Sequence, residues 1–302
     1  MDSFAPTPWP ARCQLSGALI DADTCARRVL ADLARAVGPA EGAQAREWLG
    51  AASTWSTGFS AVMQALATAN DHHRAFARLL RSREAYGPSL AALCRAFVEV
   101  AGRAWWLLES ADGSQLEHRA AAMRLKEISD SRGRTSGRLV RVADGAYEEV
   151  GYDEVLKAAQ QDLSKAAVAG RKESVPGYSK LAEAVMTAGG VKEADAKYSH
   201  LSSVAHGHGF TVGGMGARQP HAADGFSYFS ISLPLINAHQ YLQILVRVLN
   251  AVTTRLLTLA ASPADQERWE AAHQRSDARI AEVLVELKTA PAAPLTPDVP
   301  PA

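Results

Sequence analysis

Leu242, Leu245, Leu249, Val252, Leu256 and Leu259 fall at three- and four-residue steps, one apolar seam inside the most hydrophobic stretch of the chain. That period sets all six side chains on one side of an α-helix. So continuous a seam has to be covered by other elements, which constrains the chain to build a core around this helix. The stretch from Leu233 to Ala261 is long enough to cross a bilayer, but His239, Arg247 and Arg255 would each be costly at its centre, so a core helix is expected and no membrane span. The next segment opens on Ser262-Pro263-Ala264-Asp265, an N-cap followed by proline at the first helical position, and continues through Trp269, Ile280, Val283 and Leu287. The short turn between the two predicts an antiparallel pair.

Helical spacing runs through most of the remaining interior. It predicts helices over roughly 20–37, 41–69, 72–84, 89–110, 115–130, 152–170, 178–189, 193–206, 234–260 and 263–289. Prolines without sustained period make 1–18 and 290–302 read as flexible tails, leaving a helical bundle domain over 19–289. Within it lie a basic loop at 131–143, a glycine-rich loop at 207–225 and a short strand or hairpin near 226–232. The expected class is all-α, an antiparallel helical bundle with its centre in the helices at 89–110, 193–206 and 234–260.

Lys and Arg (32) balance Asp and Glu (32), so no global field draws the chain to nucleic acid or to an anionic membrane. Three cysteines, Cys13, Cys25 and Cys94, form no CxxC pair and are odd in number, which predicts free thiols and not a disulfide framework. The opening run Met1-Asp2-Ser3-Phe4-Ala5-Pro6 lacks a basic and then apolar leader, so no secretion signal is expected and the location expected is cytoplasmic.

Two helices carry polar groups toward the expected core. Arg95, Glu99 and Arg103 stand at successive four-residue steps, close before Trp105-Trp106-Leu107-Leu108, and Tyr198, Ser202 and His206 repeat that spacing. Each step turns the helix by only about 40°, so each trio shares a face, and Glu99 can pair with either arginine. If the stripes meet, they either satisfy one another as a network that fixes helix register, or hold an anion or substrate with His206 as base and Tyr198 as acid.

The arrangement Arg95-x3-Glu99-x3-Arg103-x-Trp105-Trp106-Leu107-Leu108-Glu109, followed by Tyr198-x2-Leu201-Ser202-x3-His206-Gly207, resembles a group of helical proteins of actinobacteria and other bacteria whose bundles are similar to HEPN-type domains. The likeness covers roughly residues 55–260 and implies an antiparallel bundle and dimerisation. RNA-cleaving HEPN domains carry Arg-x4-6-His. Here Arg268-Trp269-Glu270-Ala271-Ala272-His273 fits the bare spacing, about two such matches are expected by chance, and Trp269 departs from the polar residue that usually follows the arginine. Nuclease activity is therefore not carried over.

Arg132, Arg134, Arg138 and Arg141 form the one basic island and could contact RNA, but no aromatic residue interleaves them and a solvated connection is the plainer reading. His200, His206, His208 and His221 lack the helical i, i+3 or i+4 metal spacing, so neither metal nor cofactor is expected. His72 and His73 read as exposed at a helix start, and Trp48 and Trp55 as core. Gly207 to Gly216 follows a helix where a dinucleotide loop would follow a strand. Three functions remain open: an interaction or regulatory bundle, expected to be a homo-oligomer, whose polar stripe is structural; a small-molecule or nucleotide pocket or enzyme built from Arg95, Glu99, Arg103, Tyr198, Ser202 and His206; and an RNA-binding HEPN relative using the basic island.

Overall fold

The computed structural model describes residues 5–36, 57–84, 86–132, 138–143, 146–166, 173–220, 227–260 and 263–289. In chain order it has α1 (Trp9–Ala36), α2 (Thr57–Leu80), α3 (Gly87–Leu108) and α4 (Gly113–Ser131), then a hairpin of β1 (Arg138–Ala143) and β2 (Ala146–Gly151). There follow α5 (Tyr152–Lys165), α6 (Tyr178–Ala188), α7 (Ala194–Ala205), α8 (Gly209–Gly213), a second hairpin of β3 (Gly216–Pro220) and β4 (Ser227–Ile231), and finally α9 (Leu235–Ala260) and α10 (Pro263–Thr289). The chain is an all-α bundle that carries, among the described residues, two antiparallel two-stranded hairpins.

Helix α3 is the hub, packing against α2, α4, α6, α7 and α9. Its apolar residues Leu90, Cys94, Phe97, Val98, Leu107 and Leu108 are fully buried. Close approach on several sides at once is achieved with small residues, above all Gly102, where an added Cβ would lie 2.5 Å from the Leu181 carbonyl oxygen of α6. The seam of α9 is core as its spacing predicts, from Leu242 to Leu256, with Leu259 partly buried against it. This helix has the length and apolarity to cross a membrane, and just over half of that stretch, 56%, is buried, with the helix packed on α3, α6 and α10. Helix α10 also lies along α1, where Ser276 Oγ donates to the Ala18 carbonyl at 2.8 Å.

The N-terminal segment is not a tail beyond residue 8. Helix α1 starts at Trp9 and buries Leu15, Ala18 and Leu19. Prolines at 8 and 10 sit where a helix tolerates them, at its entry and first turn. Residues 5–7 also pair with 233–235 ahead of α9: Thr7 N donates to Leu233 O at 2.9 Å, and Leu235 N to Ala5 O at 3.0 Å. Arg12 is buried and donates to the carbonyls of Ser82, Arg83 and Glu84, each at 2.9 Å, while the Trp9 indole donates to Arg81 O at 3.0 Å. Together they satisfy carbonyls just beyond the C-terminus of α2, where a cation also suits the helix dipole.

Other boundaries differ. The expected break near 70 is absent, and α2 runs unbroken to Leu80 through Asn70 and His73, both buried. Residues 41–56, with Trp48 and Trp55, lie outside the described residues, as does the expected tail at 290–302. The basic segment 131–143 is a loop only in part, since 138–143 form β1, and the glycine-rich segment yields α8 and β3. The expected strand near 226–232 is β4, paired with β3.

His73 is not exposed. It is fully buried with its ring 5.7 Å from that of Phe97, and neither ring nitrogen has a hydrogen-bond partner among the described residues. Burial disfavours the imidazolium and lowers its pKa to about 4. The unfolded chain takes up this proton from about pH 6.5 downward, so the stabilisation is complete above that pH and is lost as pH falls toward 4. Denaturant unfolding should show His73→Leu losing less stability than wild type between those two pH values, by about 3 kcal/mol. At Gly102, alanine would raise helix propensity by about 1 kcal/mol, but contact with the α6 backbone reverses the sign: Gly102→Ala should lower stability by about 2 kcal/mol, read from its melting temperature.

Candidate functional site

The two polar stripes meet where α7 packs on α3. Arg95 Nε donates to Glu99 Oε1 at 2.7 Å, and the Tyr198 hydroxyl donates to that same oxygen at 2.7 Å. Arg95 Nη1 lies 2.8 Å from His206 Nε2, and because a guanidinium can only donate, the ring nitrogen is the acceptor of this contact. The side chains of Arg95 and Glu99 retain 24% and 22% exposure, so the pair is only partly desolvated. Burial, and then the hydrogen bond to Glu99, push the Tyr198 pKa up, which keeps its hydroxyl protonated and donating.

His206 reaches Arg95 because α7 ends on it. Gly207 follows at φ +68°, its N–H donating to Val204 O and the next N–H, of His208, to Ser203 O at 3.0 Å. These two bonds make a Schellman stop, whose left-handed position favours glycine. Ser202 is half-buried on the same helix face.

Arg103 departs from the expected trio. It pairs with Glu127 of α4 at 2.7 Å and donates to the Tyr178 hydroxyl of α6 at 2.8 Å, its guanidinium 4.9 Å from that ring's centre. Glu99 thus chooses Arg95, and the α3 stripe divides: its first half binds α7, its last member binds α4 and α6. The groups engage one another, with the outer edge of His206 open to solvent.

Two further networks were not expected from sequence. Arg119, on α4, donates to the Trp106 carbonyl at 2.6 Å and through Nε to Glu173 at 2.9 Å, with its guanidinium 5.0 Å from the Trp106 ring centre. Hydrogen bonding from Arg119 holds the Glu173 carboxyl below its ordinary pKa. On the other side of α7, His200 Nε2 lies 3.1 Å from both the Tyr241 hydroxyl and the Asn237 amide nitrogen of α9. His200 is lowered by burial, which suits an accepting neutral ring. Arg119 and Asn237 belong to helices with no regular polar stripe, so only their partners reveal them.

The described part of the basic island is divided between the end of α4 and β1. Arg132 caps α4 with its guanidinium 5.9 Å from the Tyr152 ring centre. Arg138 and Arg141 are strand residues, and the register sets Arg141 opposite Glu148. Arg134 lies outside the described residues. Arg268 and His273 point away from each other: Arg268 lines the groove between α1 and α10, whereas His273 stacks on Trp269 and lines a cavity against α9.

Fold and networks together define a helical bundle stitched by half-buried arginine pairs. The chain matches no protein-family model, no curated protein and no solved structure.

Proposed function

We propose that this chain is a cytoplasmic helical interaction protein that works as a pair of identical copies, and that the Arg95–Glu99–Tyr198–His206 network is a structural latch and not a reaction centre. The observation that carries the reading is Phe210, 98% exposed on the five-residue helix α8 just beyond the latch. A phenylalanine held in water forgoes about 2 kcal/mol of burial, so its placement there suits a partner surface. Ile231, on the strand paired with β3, and Ile236, at the start of α9, are also exposed, and β3 itself packs against α8.

A second copy is the proposed partner because the chain carries equal numbers of basic and acidic residues, so two copies meet with no net repulsion. The latch contributes by fixing the end of α7, from which α8 projects. The kinship with HEPN-type bundles belongs to the same proposal, without RNA cleavage, because the one Arg-x4-His pair is split between opposite sides of α10.

Light scattering across a concentration series should give twice the chain mass for wild type. Phe210→Asp should shift the equilibrium to monomer, weakening association by about thirtyfold per copy if each phenylalanine contributes about 2 kcal/mol. A wild type that stays monomeric at high concentration, or a variant that dimerises equally well, would refute the proposal.

A further inference from the structure

Away from Phe210, α1 and α10 enclose a groove of about 500 Å³. Its walls are two helix faces: Asp21, Cys25 and Arg28 from α1, and Arg268, Arg275 and Arg279 from α10. The α10 residues recur at seven- and four-residue steps, which keeps three guanidinium groups on one side of that helix. Opposite them Arg28 adds a fourth, while Asp21 is the single carboxylate among the described lining residues.

Neutralisation of these cations is incomplete. Arg279 pairs with Glu282 and reaches Gln14 at 3.3 Å, and Arg268 makes two loose contacts of 3.4 Å, to Asp32 and Asp265. Arg28 and Arg275 have no ion pair among the described residues. The charges converge on the groove: Cys25, whose Sγ lies 3.8 Å from the Arg268 carbonyl, experiences the fields of Arg268, Arg275 and Arg28, although burial remains the larger influence and raises the thiol pKa. Like charges gathered on facing walls repel one another, and a multiply charged anion relieves that repulsion.

We propose that this groove binds a small phosphate compound, a diphosphate or a nucleotide, with Arg28 and Arg275 on its phosphate oxygens and Arg268 and Arg279 at the margins. Guanidinium groups match phosphate oxygens in paired, planar hydrogen bonds, and the volume is within the usual range of about 300–1,000 Å³ for small-molecule sites. The proposal is independent of dimerisation through α8.

Cys25 reports occupancy. In the full chain, alkylation of Cys25 is followed by mass spectrometry with pyrophosphate, with ATP or with sodium chloride at matched ionic strength. Bound ligand should slow the reaction about tenfold at about ten times its dissociation constant. Protection by both phosphates places recognition in the phosphates, whereas protection by ATP alone places the nucleoside in the groove as well, and either supports the site. Arg28→Gln with Arg275→Gln, both exposed positions, should abolish protection without lowering the melting temperature. Absence of protection by either compound, equal protection in the double variant, or protection by an RNA oligonucleotide alone would overturn it.

Discussion

Among the described elements, five helices pack on α3, and that crowding dictates where its charges can stand. A helix so surrounded has little surface on which a charged residue can remain fully hydrated, and a charge withdrawn from water without a partner is expensive. Arg95, Glu99 and Arg103 therefore occur along the strip where neighbouring helices bring complementary groups. The partners differ at each turn: Tyr198 and His206 on α7, Tyr178 on α6, Glu127 on α4. Gly102 sits within that strip, and its missing side chain lets the α6 backbone come close enough for Tyr178 to meet Arg103.

The same economy recurs elsewhere. Arg12 fans out to three carbonyls after α2, Arg119 joins a carboxylate to a carbonyl while lying over an indole, and Arg255 reaches the Leu108 carbonyl and Glu109 at the end of α3. Guanidinium is suited to this work because several donors leave one rigid plane, so a single side chain can close the end of one helix and bind another element. Arg12, Arg119 and Arg255 each fasten one element to another, which makes the partly unneutralised group between α1 and α10 stand apart.

Much of the helical frame was legible because the periods of α3, α9 and α10 persist for many turns. Four-residue steps made each stripe legible but left open whether the two meet, since spacing does not say which helix packs on which; the contacts of Tyr198 and His206 with Glu99 and Arg95 are seen only in the fold. Local chemistry was less well read. Asp144-Gly145, between residues of alternating Leu139-Val140-Arg141-Val142 and the run Tyr147 to Val150, is a hairpin signal that the arginine content obscured. Prolines 6, 8 and 10 suggested a tail although proline is at home at a helix entry. His73 and Arg119 could not be read at all from spacing, because burial depends on which helices surround them. The selection of Arg95 over Arg103 by Glu99 was likewise decided by α4 and α6, not by the α3 sequence.

A structural latch is a bond between α3 and α7 that adds to folding stability. A double-mutant cycle of Tyr198→Phe and Glu99→Ala, followed by denaturant unfolding, tests this most directly. The hydroxyl and carboxylate should couple by on the order of 1 kcal/mol or more, with each single change destabilising. Additive effects, or single variants as stable as wild type or more so, would contradict the latch and mark these residues as held for another purpose.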